Sequence, residues 1–237
     1  MYNLPEKLRT LAPYAPPSGD FPIRLDAKES FISVPADIKA KMLDAAGGVL
    51  FNRYPDPMAA RVCESFAAYY GINPENVAAG NGSDDLISVI TNAFLKKGGR
   101  LLTLSPDFSM YPFYGHIAEA KLEVMQKKAC LSIDVDALMY RAGECDMLIF
   151  SNPCNPTSLG LRREDVRKII TGTNALVVLD EAYMDFWDQS LLGEINEFNN
   201  LIILRTCSKM IGLAALRLGF AVANKTLITA VKAAKSP

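Results

Sequence analysis

"NLIILRTCSKMIGLAALRLGFAVA", residues 200–223, holds two apolar runs of strand length joined by a segment with Lys209 near its start and Arg217 near its end. Between these two cations, Met210 to Leu216 carry no charge. An amine set among uncharged residues just beyond a buried strand is short of water. Its pKa falls, and it becomes a nucleophile for a carbonyl, with a Schiff base as product. A lysine that lays its stem on the surface and keeps its head in solvent is the other reading of the same residue.

Outward from this stretch, short apolar runs alternate with helical patterns. "NVAAG" precedes "SDDLISVITNAFLKKGG", "RLLTL" precedes "SMYPFYGHIAEA", and "KLEVMQ", "DMLIF", "REDVRKII" and "ALVVLDEAY" lead back to residue 200. Strand and helix in alternation predict an α/β fold, a mostly parallel sheet flanked by helices on both faces. Upstream, "PADIKAKMLDAAGG" and "DPMAARVCESFAAYYG" predict two helices that open near a proline and close on glycine. The first thirty residues, with Pro5, Pro13, Pro16, Pro17, Gly19 and Pro22, predict an extended arm that cannot sustain a helix. Residues 31–223 then form the main domain. The closing "NKTLITAVKAAKSP" predicts a helix whose apolar stripe, Leu227, Ile228, Ala230, Val231 and Ala234, is expected to lie exposed.

The 237 residues carry 25 Lys and Arg against 26 Asp and Glu, so no overall field recruits nucleic acid or an anionic membrane, and a small molecule is the expected partner. The five cysteines, Cys63, Cys130, Cys145, Cys154 and Cys207, are dispersed and odd in number, which predicts reduced thiols and a cytoplasmic protein. His116 is the single histidine, which argues against triad chemistry and against a histidine zinc site; no metal is expected. No apolar run approaches the roughly 18 residues of a membrane span.

In such a sheet, ligands sit at the carboxyl ends of the strands. Three segments fall there besides Lys209. "AAGNGSDD" follows a strand and opens a helix, so the N–H groups of Ser83 and Asp84 can cradle an anion; an ordinary helix cap is the alternative. Asp180 directly follows five apolar residues and is read either as a buried acid in want of a cation or as a solvent-facing turn residue. "IFSNPCNPTS" has two Asn-Pro steps that hold Asn155 out of regular pairing, as turn punctuation alone would also do. An anion cradle, a strand-end aspartate, an isolated lysine and an arginine eight residues later form the set that pyridoxal phosphate requires, because its phosphate, ring nitrogen and aldehyde each need a partner.

With these residues in place, the chain resembles the fold-type I pyridoxal-phosphate enzymes, and among them the histidinol-phosphate aminotransferase family. The resemblance runs through "LPEKLRTLAPYAPPSGDFPIRLDAKESF", "RYPDP", "GNGSDD", "SPDFSMYPFY", "NPCNPTS", "VVLDEAY" and "RTCSKMIGLAALRLGF" in that order. It implies pyridoxal 5'-phosphate as cofactor, bonded covalently to Lys209, with Asp180 on the ring nitrogen and Asn155 and Tyr183 on the ring oxygen. Phe108 is implied to stack on the ring, and Ser83, Asp84, Ser208 and Arg217 to hold the phosphate. Tyr54 is implied to reach the phosphate of a neighbouring subunit, hence a homodimer, and Tyr14 to lie near the substrate. The substrates implied are an amino phosphate and a 2-oxo acid.

Lys28, Ser158 and Ala215 stand where the family usually has asparagine, glycine and glycine. The resemblance also leads us to expect a bridging helix, of which residues 224–237 read as the start, and a C-terminal domain bearing a carboxylate clamp; that domain is expected to be absent from this chain, with little or no transamination as the result. Two other functions share the same lysine, aspartate and cradle: a decarboxylase of a phosphorylated amino acid such as threonine phosphate, and a cofactor-binding fragment without turnover.

Overall fold

The computed structural model describes every residue except Met1, Tyr14, Pro16, Pro17, Arg24 and Pro237. Seven strands form one sheet: β1 (Val77–Gly80), β2 (Arg100–Ser105), β3 (Lys121–Gln126), β4 (Met147–Ser151), β5 (Leu176–Asp180), β6 (Leu201–Thr206) and β7 (Gly219–Ala223). Their spatial order is β1-β7-β6-β5-β4-β2-β3. The ladders from β3 through β6 are parallel, whereas β7 runs antiparallel to both β1 and β6. Every residue of β4, β6 and β7 is buried, as expected of strands covered on both faces.

The helices are α1 (Glu6–Arg9), α2 (Ala36–Gly47), α3 (Ala60–Tyr70), α4 (Ser83–Phe94), α5 (Met110–Ile117), α6 (Val135–Ala142), α7 (Arg163–Thr171) and α8 (Lys225–Ala234). Because side chains alternate along a strand, the sheet feeds two separate cores. On one face Leu102, Leu148, Val177 and Ile203 pack with Phe66 of α3, Leu138 of α6 and Ile169 of α7. On the other, Leu101, Ile149, Val178 and Ile202 pack with Ile90 of α4, Tyr111 of α5 and Val231 of α8.

Two expectations are corrected. The first thirty residues do hold a helix, since the spacing between Pro5 and Pro13 leaves room for the single turn of α1, with Pro5 at its N-cap. The stripe of α8 is not left bare: Ile228 and Val231 are buried in the same core as Leu86 and Ile90 of α4. Helix α6 adds an element that the apolar pattern did not reveal, capped by the Asp134 side chain, which accepts from the Ala137 N–H at 3.1 Å.

Parallel pairing brings Ser151, Asp180 and Thr206, the last residues of β4, β5 and β6, to one edge of the sheet. The reversal of β7 sets its first residue, Gly219, opposite Gly80 at the end of β1. The chain between β6 and β7 therefore leaves and re-enters the sheet at that same edge, carrying Lys209 and Arg217 with it.

Candidate active site

A cavity of about 470 Å³ lies at this edge. It is lined by Ser83, Asp84, Phe108, Asn155, Asp180, Tyr183, Ser208, Lys209 and Arg217, so nine of the residues singled out in the sequence meet in one place. Tyr54 is not among them: its side chain is fully exposed, outside the cavity. Tyr14 lies outside the described residues.

Asp180 is buried, which removes the solvent-facing alternative. Its Oδ2 accepts from the Tyr111 hydroxyl at 2.9 Å and its Oδ1 from the Ala182 N–H at 3.0 Å. Burial pushes its pKa up to about 6 against these two bonds. Among the described residues no lysine or arginine forms an ion pair with it. Asn155 is in a similar state, since its Oδ1 is buried without a partner. The loop that carries it is anchored by Asn152, whose Oδ1 accepts from the Leu161 N–H at 2.7 Å and whose Nδ2 donates to the Leu161 carbonyl at 3.2 Å.

Lys209 is half-buried, and its Nζ donates to the Ala27 carbonyl at 2.8 Å. The amine stands 5.8 Å from the centroid of the Tyr183 ring. Desolvation, aided by the nearby charge of Lys28, lowers its pKa from the usual lysine value. Phe108 meets Tyr111 edge-on, with centroids 5.5 Å apart and planes at 79°. Its backbone N–H donates to Asp107 Oδ1 at 2.7 Å, and Asp107 is a buried acid paired with Lys127 at 3.5 Å.

At the other end of the cavity α4 begins at Ser83 with Gly82 as its N-cap, and no side chain caps it. The ordinary-cap alternative therefore fails, and the first two residues of the helix, Ser83 and Asp84, line the cavity at the helix's positive end. The turn allows only glycine. Gly82 has a φ of 89°, and a Cβ there would stand 2.7 Å from Arg217 Nη2. A Cβ on Gly219 would overlap the Ser83 N–H and Gly82. Arg217 itself takes a left-handed φ of 50°, and the Thr206 hydroxyl, at 3.1 Å, donates to the Ser208 hydroxyl beside it. Asp84 is held above the usual carboxylate range by burial, against the Tyr114 hydroxyl and Arg217.

Sequence reasoning missed Tyr111, Ser151 and Thr206, all of which line the cavity. Tyr111 sits in the quoted segment "SMYPFYGHIAEA", but only the register of α5 against β5 shows that it meets Asp180. A second, adjoining cavity of about 550 Å³ shares Lys28, Asn155 and Tyr183 with the first and is bounded by Phe186 and Trp187.

A mixed, mostly parallel seven-stranded sheet with this cavity at the carboxyl ends of its strands defines the large domain of a fold-type I enzyme. The sequence profile of aminotransferase class I and II matches residues 24–237. Histidinol-phosphate aminotransferase of Clostridium kluyveri is 43% identical over 98% of this chain and 67% of its own length. That of Clostridium novyi is 42% identical over 97% of this chain and 65% of its own length. The chain belongs to the aminotransferase class I and II family, and within it to the histidinol-phosphate aminotransferases. It spans about two thirds of the length of these relatives. In fold it is similar to histidinol-phosphate aminotransferase of Sinorhizobium meliloti, solved in complex with pyridoxal-5'-phosphate, with a TM-score of 0.79 at 23% identity over 88% of this chain and 61% of that one. The L-threonine-O-3-phosphate decarboxylase of Porphyromonas gingivalis superposes with a TM-score of 0.74 at 21% identity, over 87% of this chain and 64% of that one.

Proposed function

We propose that the cavity holds pyridoxal phosphate and that the protein transfers the amino group of histidinol phosphate to 2-oxoglutarate. The observation that carries this reading is Asp180, a buried carboxylate that forms no ion pair with a lysine or arginine among the described residues. A protonated ring nitrogen would supply the cation. The rest of the cavity fits the same group: an uncapped helix start and Arg217 suit a phosphate, the side-chain NH2 of Asn155, which lines the cavity, can donate to a ring oxygen, and a poorly solvated amine suits an aldehyde.

When bound, the cofactor supplies a sink for the electron pair left on the substrate's α carbon. Asp180 holds the proton on the ring nitrogen. Asn155 and Tyr183 hydrogen-bond the ring oxygen, and Phe108 covers a ring face and excludes water from it. Ser83 and Asp84 through their N–H groups, Ser208 through its hydroxyl and Arg217 through its charge bind the phosphate. Lys209 Nζ would anchor the cofactor and would hold or move the proton at the substrate's α carbon. Its lowered pKa favours the neutral amine that both tasks need.

The finer assignments belong to the same proposal: an arm over residues 1–30, a cofactor domain over 31–223, the start of a bridging helix over 224–237, and a homodimer in which Tyr54 serves the neighbouring site. Among the described residues no helix is long and apolar enough to cross a membrane. A cytoplasmic location is part of the same proposal and rests on the dispersed, odd set of cysteines. The relatives' activity favours transamination over decarboxylation, and no contact in the cavity favours the second.

Borohydride reduction of the cofactor-loaded protein, followed by peptide mapping, tests the site: the label is expected on Lys209 and lost in Lys209→Ala. Label on another lysine would overturn the assignment. Assays with histidinol phosphate and threonine phosphate side by side test the substrate.

A further inference from the structure

Arg205, near the end of β6, is buried, as is Glu181, one of the two carboxylates it meets; the other, Asp185, is partly buried. Its Nη1 stands 3.7 Å from Glu181 Oε2 and donates to the Glu181 carbonyl at 3.4 Å. Its Nη2 is 3.0 Å from Asp185 Oδ1. The guanidinium lies over the Tyr70 ring, 4.7 Å from its centroid, and the Tyr70 hydroxyl donates to the same Asp185 oxygen at 2.7 Å. Glu181 also accepts from the Ser190 hydroxyl at 2.6 Å. The two carboxylates bracket Tyr183 in the chain, and among the described residues the Tyr183 hydroxyl makes no hydrogen bond. The ring that faces Lys209 is thus placed from its flanks.

We propose that Arg205 is a positioning residue: by gripping Glu181 and Asp185 from β6, it fixes where Tyr183 stands relative to Lys209. The guanidinium suits the task because its donors are held in a rigid fork and reach two acceptors at once, which an ammonium cannot do in one fixed geometry. Arg205 also precedes Ser208 and Lys209 by only a few residues, so one strand end sets both the amine and the aromatic ring that faces it. The inference rests on the reading of Tyr183 as the partner of the cofactor's ring oxygen.

Trp187, the only tryptophan, closes the short helical turn Met184–Phe186 on this loop and reports its position without any cofactor. In the cofactor-free protein, Arg205→Met is expected to raise iodide quenching of Trp187 while the circular dichroism stays that of a folded chain. Unchanged quenching would overturn the inference whatever the role of Tyr183. In the cofactor-loaded protein, the apparent pKa of the cofactor absorbance is then compared for Tyr183→Phe, Arg205→Met and the double variant. Tyr183→Phe should shift it, Arg205→Met should shift it the same way, and the double variant should go no further than Tyr183→Phe alone. Arg205→Met should also weaken cofactor binding roughly tenfold, with partial recovery in Arg205→Lys. If Tyr183→Phe leaves the pKa unmoved, the reading of Tyr183 fails. If Tyr183→Phe moves it and Arg205→Met does not, or the two shifts add, the positioning role fails. Should Arg205→Met not fold, Asp185→Asn loosens one arm of the grip, and the same two readouts decide.

Discussion

The hydroxyl of Tyr111 donates to Asp180 Oδ2 at 2.9 Å, both side chains being buried at the wall of the cavity, so one bond from α5 helps to keep a strand-end carboxylate ionisable. Its removal leaves Asp180 with the Ala182 N–H. Tyr111→Phe is expected to push the Asp180 pKa above about 6. It should cost roughly 1–3 kcal/mol in the cofactor-free protein at pH 8, where the carboxylate is charged. At pH 5 the acid is mostly protonated and the cost should shrink. Urea unfolding at the two pH values checks this, and equal costs would show that the bond does not serve the charge.

Stability itself should depend on these buried acids. Asp180 titrates at about 6 in the folded protein against 3.8 for a free side chain, and Glu181 at about 7 against 4.5, in both cases because burial penalises the charge. Between those limits the folded state holds more protons than the unfolded one, so these two groups make stability fall as pH rises from about 4 to about 7. Asp180→Asn is expected to remove its share, so that the variant gains on the parent across that window. A constant difference would count against a raised pKa. The same variant should still take up cofactor yet turn over on the order of a hundredfold more slowly, since an amide cannot hold the ring proton.

At the phosphate end, Gly82→Ala sets a Cβ 2.7 Å from Arg217 Nη2 at a φ of 89°. We expect cofactor affinity to drop tenfold or more, on the scale of the roughly 1–3 kcal/mol that such backbone strain costs. Pyridoxal, which has no phosphate, should bind parent and variant alike. Equal losses for both ligands would mean that the substitution damages the fold and not the cradle.

The charge of Lys28 is the second cause, after desolvation, of the lowered pKa of Lys209. In Lys28→Asn the Lys209 pKa should therefore rise part of the way toward the ordinary value of 10.5. The pH dependence of Lys209 labelling by an amine-reactive reagent measures it. An unmoved midpoint would leave desolvation and the charge of Arg217 as the causes.

The strands and most helices were legible because each carries its own period of apolar residues, and Ser83, Asp84, Asn155, Asp180, Lys209 and Arg217 were legible because they sit where those periods stop, whereas Phe108, Tyr183 and Ser208 came only with the family resemblance. What escaped depends on pairing across the sheet. Arg205 reads as the end of an apolar run, and only the parallel register that sets Asp180 opposite Leu204 brings it to Glu181, twenty-four residues away. Tyr111 reads as one aromatic among several, and its depth comes from the packing of α5 on the sheet. Helix α8 was misjudged for the same reason: its stripe is plain in the sequence, whereas the partner that covers it, α4, lies far upstream.

The reversal of β7 also sets an order of events. β1 has β7 as its only neighbour in the sheet, so the strand that leads into Ser83 stays unpaired until residues 219–223 have left the ribosome. Gly82 and Arg217, which face each other across the cradle, meet only at that moment. A nascent chain can collapse around β2 to β5 before then, yet it offers no seat for a phosphate until β1 and β7 have closed on each other. Capture of the cofactor then marks a completed sheet, and ligand present during synthesis would hold that late closure in place.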